Sequence, residues 1–472
     1  MFADAKNSNL LPPGLQSVRS AARAEWERAC EELLDRYFDN GSYQQSLIRR
    51  LRVLYPNNAD EMIKNRLSLN VLRHIVDTRA RLYRKPPLRR LVGESEPSEA
   101  ALFASIYRKS RADVRMKWLN RFYELLNCAV LWGQIGPDGY PHLSILPAHH
   151  LMLRQSRTDP LSLEACDEIY VSLSCAPSSI EAQQVAWLRY DRDAEGRVRV
   201  MTVDHAFRPH DLQPEGLEAY SRLTRFPFVL ARKDQPLDAE LFPDASHSLI
   251  NAARWIDHEL TRGALNSRHA DFPAYTFNGT QEELGTVNPA TGAGAIICLG
   301  SDDKSLEAIS SQPRERERND NLLFFLKMLA QTCDISPSAF TYAPELLSGV
   351  AKFHDKQPEI EYREEQVPEW KALEELELWP MLKELSIAGG VENAERLADR
   401  EMTVEYPQQM IALSRKEELD NLAAEITLGL RSPVDEIMRS GGVERDEAQA
   451  IYQNNISDRE SHSANESDDG TD

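Results

Sequence analysis

Two helix-patterned segments, residues 246–268 and 314–333, bracket an insert that follows neither period, and this arrangement constrains the chain most. In the first segment Leu249, Ala253, Ile256 and Leu260 recur at the 3.6-residue spacing. Ser246, after Pro243-Asp244, is placed to cap it. The insert, 270–311, is broken by Gly279, Gly285, Pro289, Gly292, Gly294 and Gly300, and it holds the short β-like pieces AYTFNG and AIICLG. Pro313 sits where the second helix begins. That helix is charged over Arg314–Arg318 and then apolar: Leu322, Phe325, Leu326 and Leu329 make one stripe, while Leu323, Phe324 and Met328 lie off it. A helix covering one core needs a single apolar stripe, so a helix apolar nearly all round must be buried on more than one side. Neighbouring copies of the chain are one way to satisfy that demand.

The prolines and serines of DISPSAFTYAPELLSGVA (334–351) predict a loop. Residues 345–387 read as helix interrupted by Pro358, Pro368 and Pro380, so a kinked helix is expected. Its stretch 359–377 carries Glu359, Glu361, Glu364, Glu365, Glu369, Glu374, Glu375 and Glu377, opposed locally only by Arg363 and Lys371. The spacing predicts a charged face turned to solvent or to an interface. REMTVEY (400–406) is a strand. Two helices follow, Ser414 to Leu430 and Pro433 to Arg439, the first opened by the capping-box pair Ser414 and Glu417. Gly441-Gly442 precedes a last short helix over 444–453, and the Ser/Asp/Glu/Asn-rich tail from Ser457 is expected to be disordered.

The amino-terminal half begins with helices. Trp26, Ala29, Leu33 and Leu34 share a stripe, and Asp39-Asn40-Gly41 marks a stop. Residues 62–85 read as one helix with Ile63, Leu67, Val71, Ile75 and Leu82 near one face and a basic opposite side, ended by Pro86-Pro87. That basic side is either a solvated surface or a contact with phosphate or an acidic neighbour. In 111–127, Val114, Trp118, Phe122 and Leu125 fall on one side. The period then changes. AVLWGQI and YPHLSIL flank the turn Gly136-Pro137-Asp138-Gly139 as a β-hairpin, EIYVSLS is a strand, VAWLRY and RVRVMTVD form a second hairpin, and FPFVLA closes the set. Residues 128–231 are therefore a β-rich layer beside helices, and the fold class is α+β.

Catalytic signatures are missing. The sequence has no G-x-x-x-x-G-K-[ST], no G-x-G-x-x-G after a strand, no G-x-S-x-G, and no H-E-x-x-H; His258-Glu259 lacks the second histidine. His149-His150, placed on a strand, would point to opposite faces and could not share a metal ion. The glutamates of 359–377 lack the accompanying His or Asp of a metal site. No cofactor, metal site or enzymatic activity is expected. Cys30, Cys128, Cys166, Cys175, Cys298 and Cys333 are scattered without a C-x-x-C pair and are expected to be reduced and buried. The formal net charge of −20 disfavours tight wrapping of nucleic acid, which needs many phosphate-neutralising cations; it is compatible with a solvated surface and does not exclude one that lets a polyanion pass ungripped. No apolar run approaches the ~18 residues of a membrane helix, and MFADAKNSNLLPPGLQ lacks the pattern of a signal peptide, which predicts a cytoplasmic chain.

The order of these elements resembles a tailed-bacteriophage portal protein, the head-to-tail connector, over roughly residues 45 to 455. SLNVLRHIVDTRARLYRKPP resembles the family's early helix ending at a proline-marked strand. LNCAVLWGQIGPDGYPHLSILPAHHLML resembles its hairpin, and FPFVLARK followed by LFPDASHSLINAARWIDHEL resembles the strand leading into the first stem helix. DISPSAFTYAPELLSGVAKF resembles the break between the second stem helix and the kinked helix, where the family often shows a Ser-Gly.

The resemblance implies a portal-like layout: wing 1–245 and 386–410, stem helices 246–269 and 312–335, clip 270–311, tunnel loop 336–350, kinked helix 351–385, crown 411–456, then the acidic tail 457–472. It implies a ring of identical copies, usually a dodecamer, at a capsid vertex of the virion, assembled in the host cytoplasm. Double-stranded DNA would pass through the channel during packaging and ejection. The terminase large subunit, head-tail adaptor, major capsid protein and scaffolding protein would be partners, and no membrane. By family position Tyr342, Ser348, Lys352 and Lys356 would lie near DNA, with Glu364, Glu365 and Glu369 lining the channel. Leu322, Phe324, Phe325, Met328 and Leu329 would form subunit contacts, and Asn278, Thr280, Asn288 and Thr291 would face terminase or adaptor. The alternatives are another phage structural protein, such as a minor head or baseplate component, and a hydrolase using the Glu-rich helix or His149.

Overall fold

Ala21–Phe38 (α1) stops where Asp39 enters the left-handed region at φ 48°. The Asn40 side chain then accepts the backbone N–H of Tyr43 at 3.1 Å and opens Gly41–Leu54 (α2), so the predicted break at Asp39-Asn40-Gly41 holds. The computed structural model describes residues 21–156, 158–160, 162–172, 187–204, 206–210, 216–233, 241–271, 274–277, 296–298, 306–309, 315–340, 349–407, 422–441 and 445–468. The chain divides into two units, Met1–Tyr342 with Lys356–Gln408, and Ala343–Asp355 with Gln409–Asp472.

The stretch expected as one helix over 62–85 is instead Ala59–Lys64 (α3), Val71–Arg79 (α4) and a 3-10 turn at Leu82–Arg84. Asparagines make the break by competing for main-chain groups. The Asn65 amide donates to the Glu61 carbonyl at 2.8 Å, and Asn70 accepts from the Arg73 N–H at 3.0 Å. Pro86-Pro87 then leads into Leu88–Leu91 (β1).

Pro97–Ser110 (α5) opens with a proline in its first turn and a Glu96–Glu99 capping box. Arg111, at φ 54°, separates it from Ala112–Leu126 (α6). The buried face of α6 is Ala112, Met116, Leu119, Tyr123 and Leu126, rotated from the predicted stripe. Leu125 is buried as expected, but Val114 is 54% exposed, and Trp118 and Phe122 sit on the flank against Phe38. Spacing fixes the period of a helix face, while its phase is set by whatever packs on it.

Cys128–Ile135 (β2) pairs antiparallel with Pro141–Pro147 (β3) in the predicted hairpin. Leu151–Arg154 (β4), Glu168–Ser172 (β5), Trp187–Arg192 (β6) and Val198–Val203 (β7) form an antiparallel sheet in that order. Phe228–Arg232 (β8) joins the other side of β2, giving the order β3-β2-β8. The β-rich layer is therefore two sheets, and the fold is α+β.

His247–Asp271 (α7) and Glu315–Thr332 (α8) are the two long helices of the bracket. Between them Ala274–Phe277 (β9), Ile296–Cys298 (β10) and Leu306–Ile309 (β11) form a three-stranded sheet, β10-β9-β11, with β10 parallel and β11 antiparallel to β9. Gly349–Ala372 (α9) contains Pro358 and Pro368. It continues through a π-helical segment, Leu373–Leu378, into Trp379–Ala388 (α10), whose first turn holds Pro380. Met402–Glu405 (β12) pairs antiparallel with β1.

The largest core joins α1, α4, α5, α6, β2, β3, β8 and α10, with Trp370 and Trp379 each 1% exposed at its centre. There the β2–β3 turn meets the end of α10 so closely that a Cβ on Gly389 would lie 2.1 Å from the Gly139 carbonyl oxygen. Four cysteines, Cys30, Cys128, Cys166 and Cys333, are buried free thiols, and burial pushes Cys30 and Cys166 up to about 12.

In the second unit, residues 422–427 are helical, and Pro433–Gly441 (α11) packs with Arg445–Asp468 (α12). The helix predicted over 444–453 is longer than expected, and the tail from Ser457, expected to be disordered, continues it to Asp468. No Gly or Pro interrupts that stretch before Gly470, and Asp446 and Glu447 favour its amino terminus. The Ser414 capping box lies outside the described residues. Among the described residues no helix is long and apolar enough to cross a membrane.

Candidate functional site

The acidic helix has two unlike faces. Glu359, Arg363, Gln366, Trp370 and Glu374 are buried, at steps of three and four residues from α9 into the π-helical segment. Glu361, Glu364 and Glu365 are exposed on the other side. The acidic run is therefore not the uniform solvated face that its local sequence suggests, because its counter-charges come from distant segments.

Three carboxylates organise the buried side. Glu374 accepts two hydrogen bonds from the Arg89 guanidinium, one from Tyr83 at 2.6 Å and one from Tyr406 at 3.2 Å. Burial, then Glu374 itself, holds the Tyr83 hydroxyl well above its ordinary range. Glu124, on α6, meets Arg79 at 3.0 Å and Lys233 at 3.4 Å, accepts from the Gln366 amide, and lies 2.8 Å from the Tyr362 hydroxyl. Glu359 pairs with Arg81 and with Lys356, the latter at 3.0 Å. Arg79 and Arg81, read as part of a basic outer face, thus turn inward onto carboxylates. Removing one partner of such a buried pair costs about 3–5 kcal/mol, because the other charge is left uncompensated.

The long helices form the second part of the site. Trp255 on α7 meets Phe325 on α8 with ring centroids 4.3 Å apart, and Gly263 lies under the Arg318 guanidinium, where a Cβ would come within 3.0 Å of it. Rising numbers on α7 meet falling numbers on α8, so the pair is antiparallel. A groove of about 390 Å³ between them is lined by Trp255, Arg262, Asn321 and Leu322 among others.

One side of this pair is tied to the body. Phe325, Leu326 and Leu329 pack against Val71, Ile75 and Ile256, while Leu265 joins Leu47, Leu51 and Met62. Buried Asp257 is bound by the Tyr43 hydroxyl and by Arg36 at 3.3 Å; burial pushes its carboxyl up against the pull of these donors. Thr261 Oγ1 meets both main-chain groups of Leu67 at 3.1 Å. On the other side, among the described residues, Phe324 is 65%, Met328 50% and Trp255 38% exposed.

The residues singled out from sequence therefore separate. Phe325 and Leu329 pack, partly buried, against the chain's own core, Leu322 lines the groove, and Phe324 and Met328 are exposed. Glu364 and Glu365 lie on the exposed face of α9, and exposed Glu369 accepts from the Tyr123 hydroxyl at 3.2 Å. Lys356 is occupied by Glu359. Lys352 lies in α9 with its side chain outside the described residues, as are Tyr342, Ser348, Asn278, Thr280, Asn288 and Thr291 altogether. His149 and His150 are in a 3-10 turn rather than on a strand, with ring centroids 4.3 Å apart. Burial and the neighbouring His150 and Arg23 lower His149 to about 3. Pro147, two residues before His149 and the last residue of β3, lacks the N–H that would let the strand continue. Among the described residues no group of three or more His, Cys, Asp or Glu side chains is arranged to hold a metal ion.

Sequence reasoning missed Glu124, Arg89, Asp257 and Thr261 as anchors. For Glu124, Asp257 and Thr261 the signal was a polar residue on a helix position that faces the buried side; Arg89, on β1, carried no such signal.

The sequence matches no family model and no curated protein. Among solved structures, the chain is similar to one from the virion of a native gene transfer agent (GTA) particle, with TM-score 0.37 and 12% identity, covering 82% of this chain and 94% of that one. It is similar also to a chain in the neck of an empty GTA particle computed with C6 symmetry, with TM-score 0.37 and 12% identity, covering 78% of this chain and 89% of that one.

Proposed function

We propose that the chain is a portal protein: a non-catalytic subunit of a closed ring at a capsid vertex. In this reading its channel passes double-stranded DNA during packaging and ejection, and its α7–α8 end docks the terminase and, later, head-tail adaptors. The observation that carries the reading is the half-covered antiparallel pair. One flank of α8 is packed into the chain's own core, while Phe324 and Met328 on the other face solvent. A heterologous contact, repeated head to tail, covers such a flank in every copy and closes when the rotation allows. At ~25 cal/mol per Å² of apolar area removed from water, a row of such contacts associates strongly. The outer face of α9 agrees, since clustered carboxylates offer a polyanion no phosphate grip and let it slide.

The test is native mass spectrometry of the purified protein, joined to negative-stain imaging. A closed ring with an axial hole wide enough for a duplex is expected. A monomer under all conditions, or an assembly without an axial opening, overturns the reading.

A further inference from the structure

The β1–β12 sheet has two strands, and its two edges are treated differently. The Val92 N–H donates to the Glu401 carbonyl at 2.9 Å. Even-numbered residues of β1 therefore turn their main-chain groups toward β12, and the odd-numbered Arg89 and Leu91 turn theirs away. On β12 the outward residue Val404 donates its N–H to the Glu375 carboxylate at 2.8 Å, so a side chain from the π-helical segment caps that edge. Among the described residues nothing caps the outward N–H and C=O groups of Arg89 and Leu91. Uncapped edges of this kind are templates for another strand.

A pocket of about 720 Å³ lies against this open edge, between β1 and the α5–α6 corner. Leu91, Phe103 and Ala104 contribute apolar lining, and Arg90, Arg108 and Arg111 contribute cations. The charge of Arg89 is taken up by Glu374 and Asp113. Arg90, Arg108 and Arg111 make no ion pair among the described residues. Three guanidinium groups around one pocket without an ion pair among the described residues run against a chain whose net charge is −20.

We propose that this edge and pocket dock an extended segment of a partner protein in which acidic and apolar residues alternate, added to the sheet as a third strand beside β1. Main-chain hydrogen bonds to Arg89 and Leu91 would supply affinity, and alternate side chains would supply specificity. Apolar side chains would enter the pocket, and carboxylates would take the two-pronged hydrogen bonds that guanidinium groups favour. Nucleic acid would satisfy the arginines but neither the open main-chain groups nor the apolar lining. The inference does not depend on the ring.

The probe is a fluorescein-labelled, amidated Val-Glu-Val-Glu-Val-Glu peptide, titrated with the full chain by fluorescence anisotropy. Saturable binding is expected, weakened by about tenfold or more in the Arg90→Glu/Arg108→Glu variant. A similar loss is expected when alternate peptide amides are N-methylated, a change that removes strand donors and leaves the protein untouched. Thermal unfolding checks that the double variant is folded, and the N-methylated peptide decides the matter if it is not. Absence of binding, equal binding of the N-methylated peptide, or equal binding of a Val-Lys peptide overturns the proposal. Displacement of the peptide by an equal concentration of a short DNA duplex also overturns it, in favour of a phosphate site.

Discussion

Glu374 is fully buried, its carboxyl group held by one guanidinium and two phenols. A charge in that position is tolerated only while every partner stays in place. Glu374→Ala is expected to lower unfolding free energy by about 3–5 kcal/mol in urea titration, and Glu374→Gln by less, because the amide oxygen still accepts from a phenol. His149 supplies a pH-dependent counterpart. Its folded-state value of about 3 lies below the ordinary imidazole value of 6.5, so the folded chain keeps it neutral where the unfolded chain would protonate it. The stability it contributes is present above about pH 6.5 and lost as pH falls toward about 3. His149→Gln is expected to flatten the fall in denaturation midpoint across that window, and an unchanged slope would refute the assignment.

At the scale of elements, α8 divides its apolar residues between two jobs. Phe325 packs, partly buried, against the chain's own core, so Phe325→Ala is expected to cost stability, by less than the ~3–5 kcal/mol of a fully buried aromatic. Phe324→Glu with Met328→Glu touches exposed positions and is expected to leave the far-UV circular dichroism of a folded chain unchanged while abolishing the proposed ring in native mass spectra. A double variant that still assembles would remove the support these residues give to the proposed contact. The π-helical segment matters in the same way, because it directs Glu374 to the β1 side and Glu375 to β12 within one turn. Such segments often mark functional stretches of long helices.

For the whole molecule, the balance of charge decides how a ring would treat DNA. Glu361, Glu364 and Glu365 are exposed on one turn of α9, so converting all three to Lys adds cations without breaking a buried pair. Rings of that variant are expected to assemble normally but to retain duplex DNA, with affinity falling more steeply with salt than in the parent. In a packaging assay the same variant is expected to fill heads poorly, and normal filling would exclude this face from the channel. The exposed apolar flank, the acidic outer face and the open β1 edge are built from different residues and can be tested separately.

The sequence by itself determined the elements whose causes are local. The stop at Asp39-Asn40-Gly41, the Gly136-Pro137-Asp138-Gly139 hairpin, the two long helices and the strand at 402–405 all follow from turn residues and from periods of two or 3.6. Only the tertiary structure decided which face of α6 is buried and which glutamates of the acidic run are partnered. The partnering of the glutamates depends on Arg81 and Arg89, which lie some 280 residues away along the chain from Glu359 and Glu374. Periodicity carries no term for a charge brought in from so far, and the energy of burying a carboxylate is settled by its partners in space.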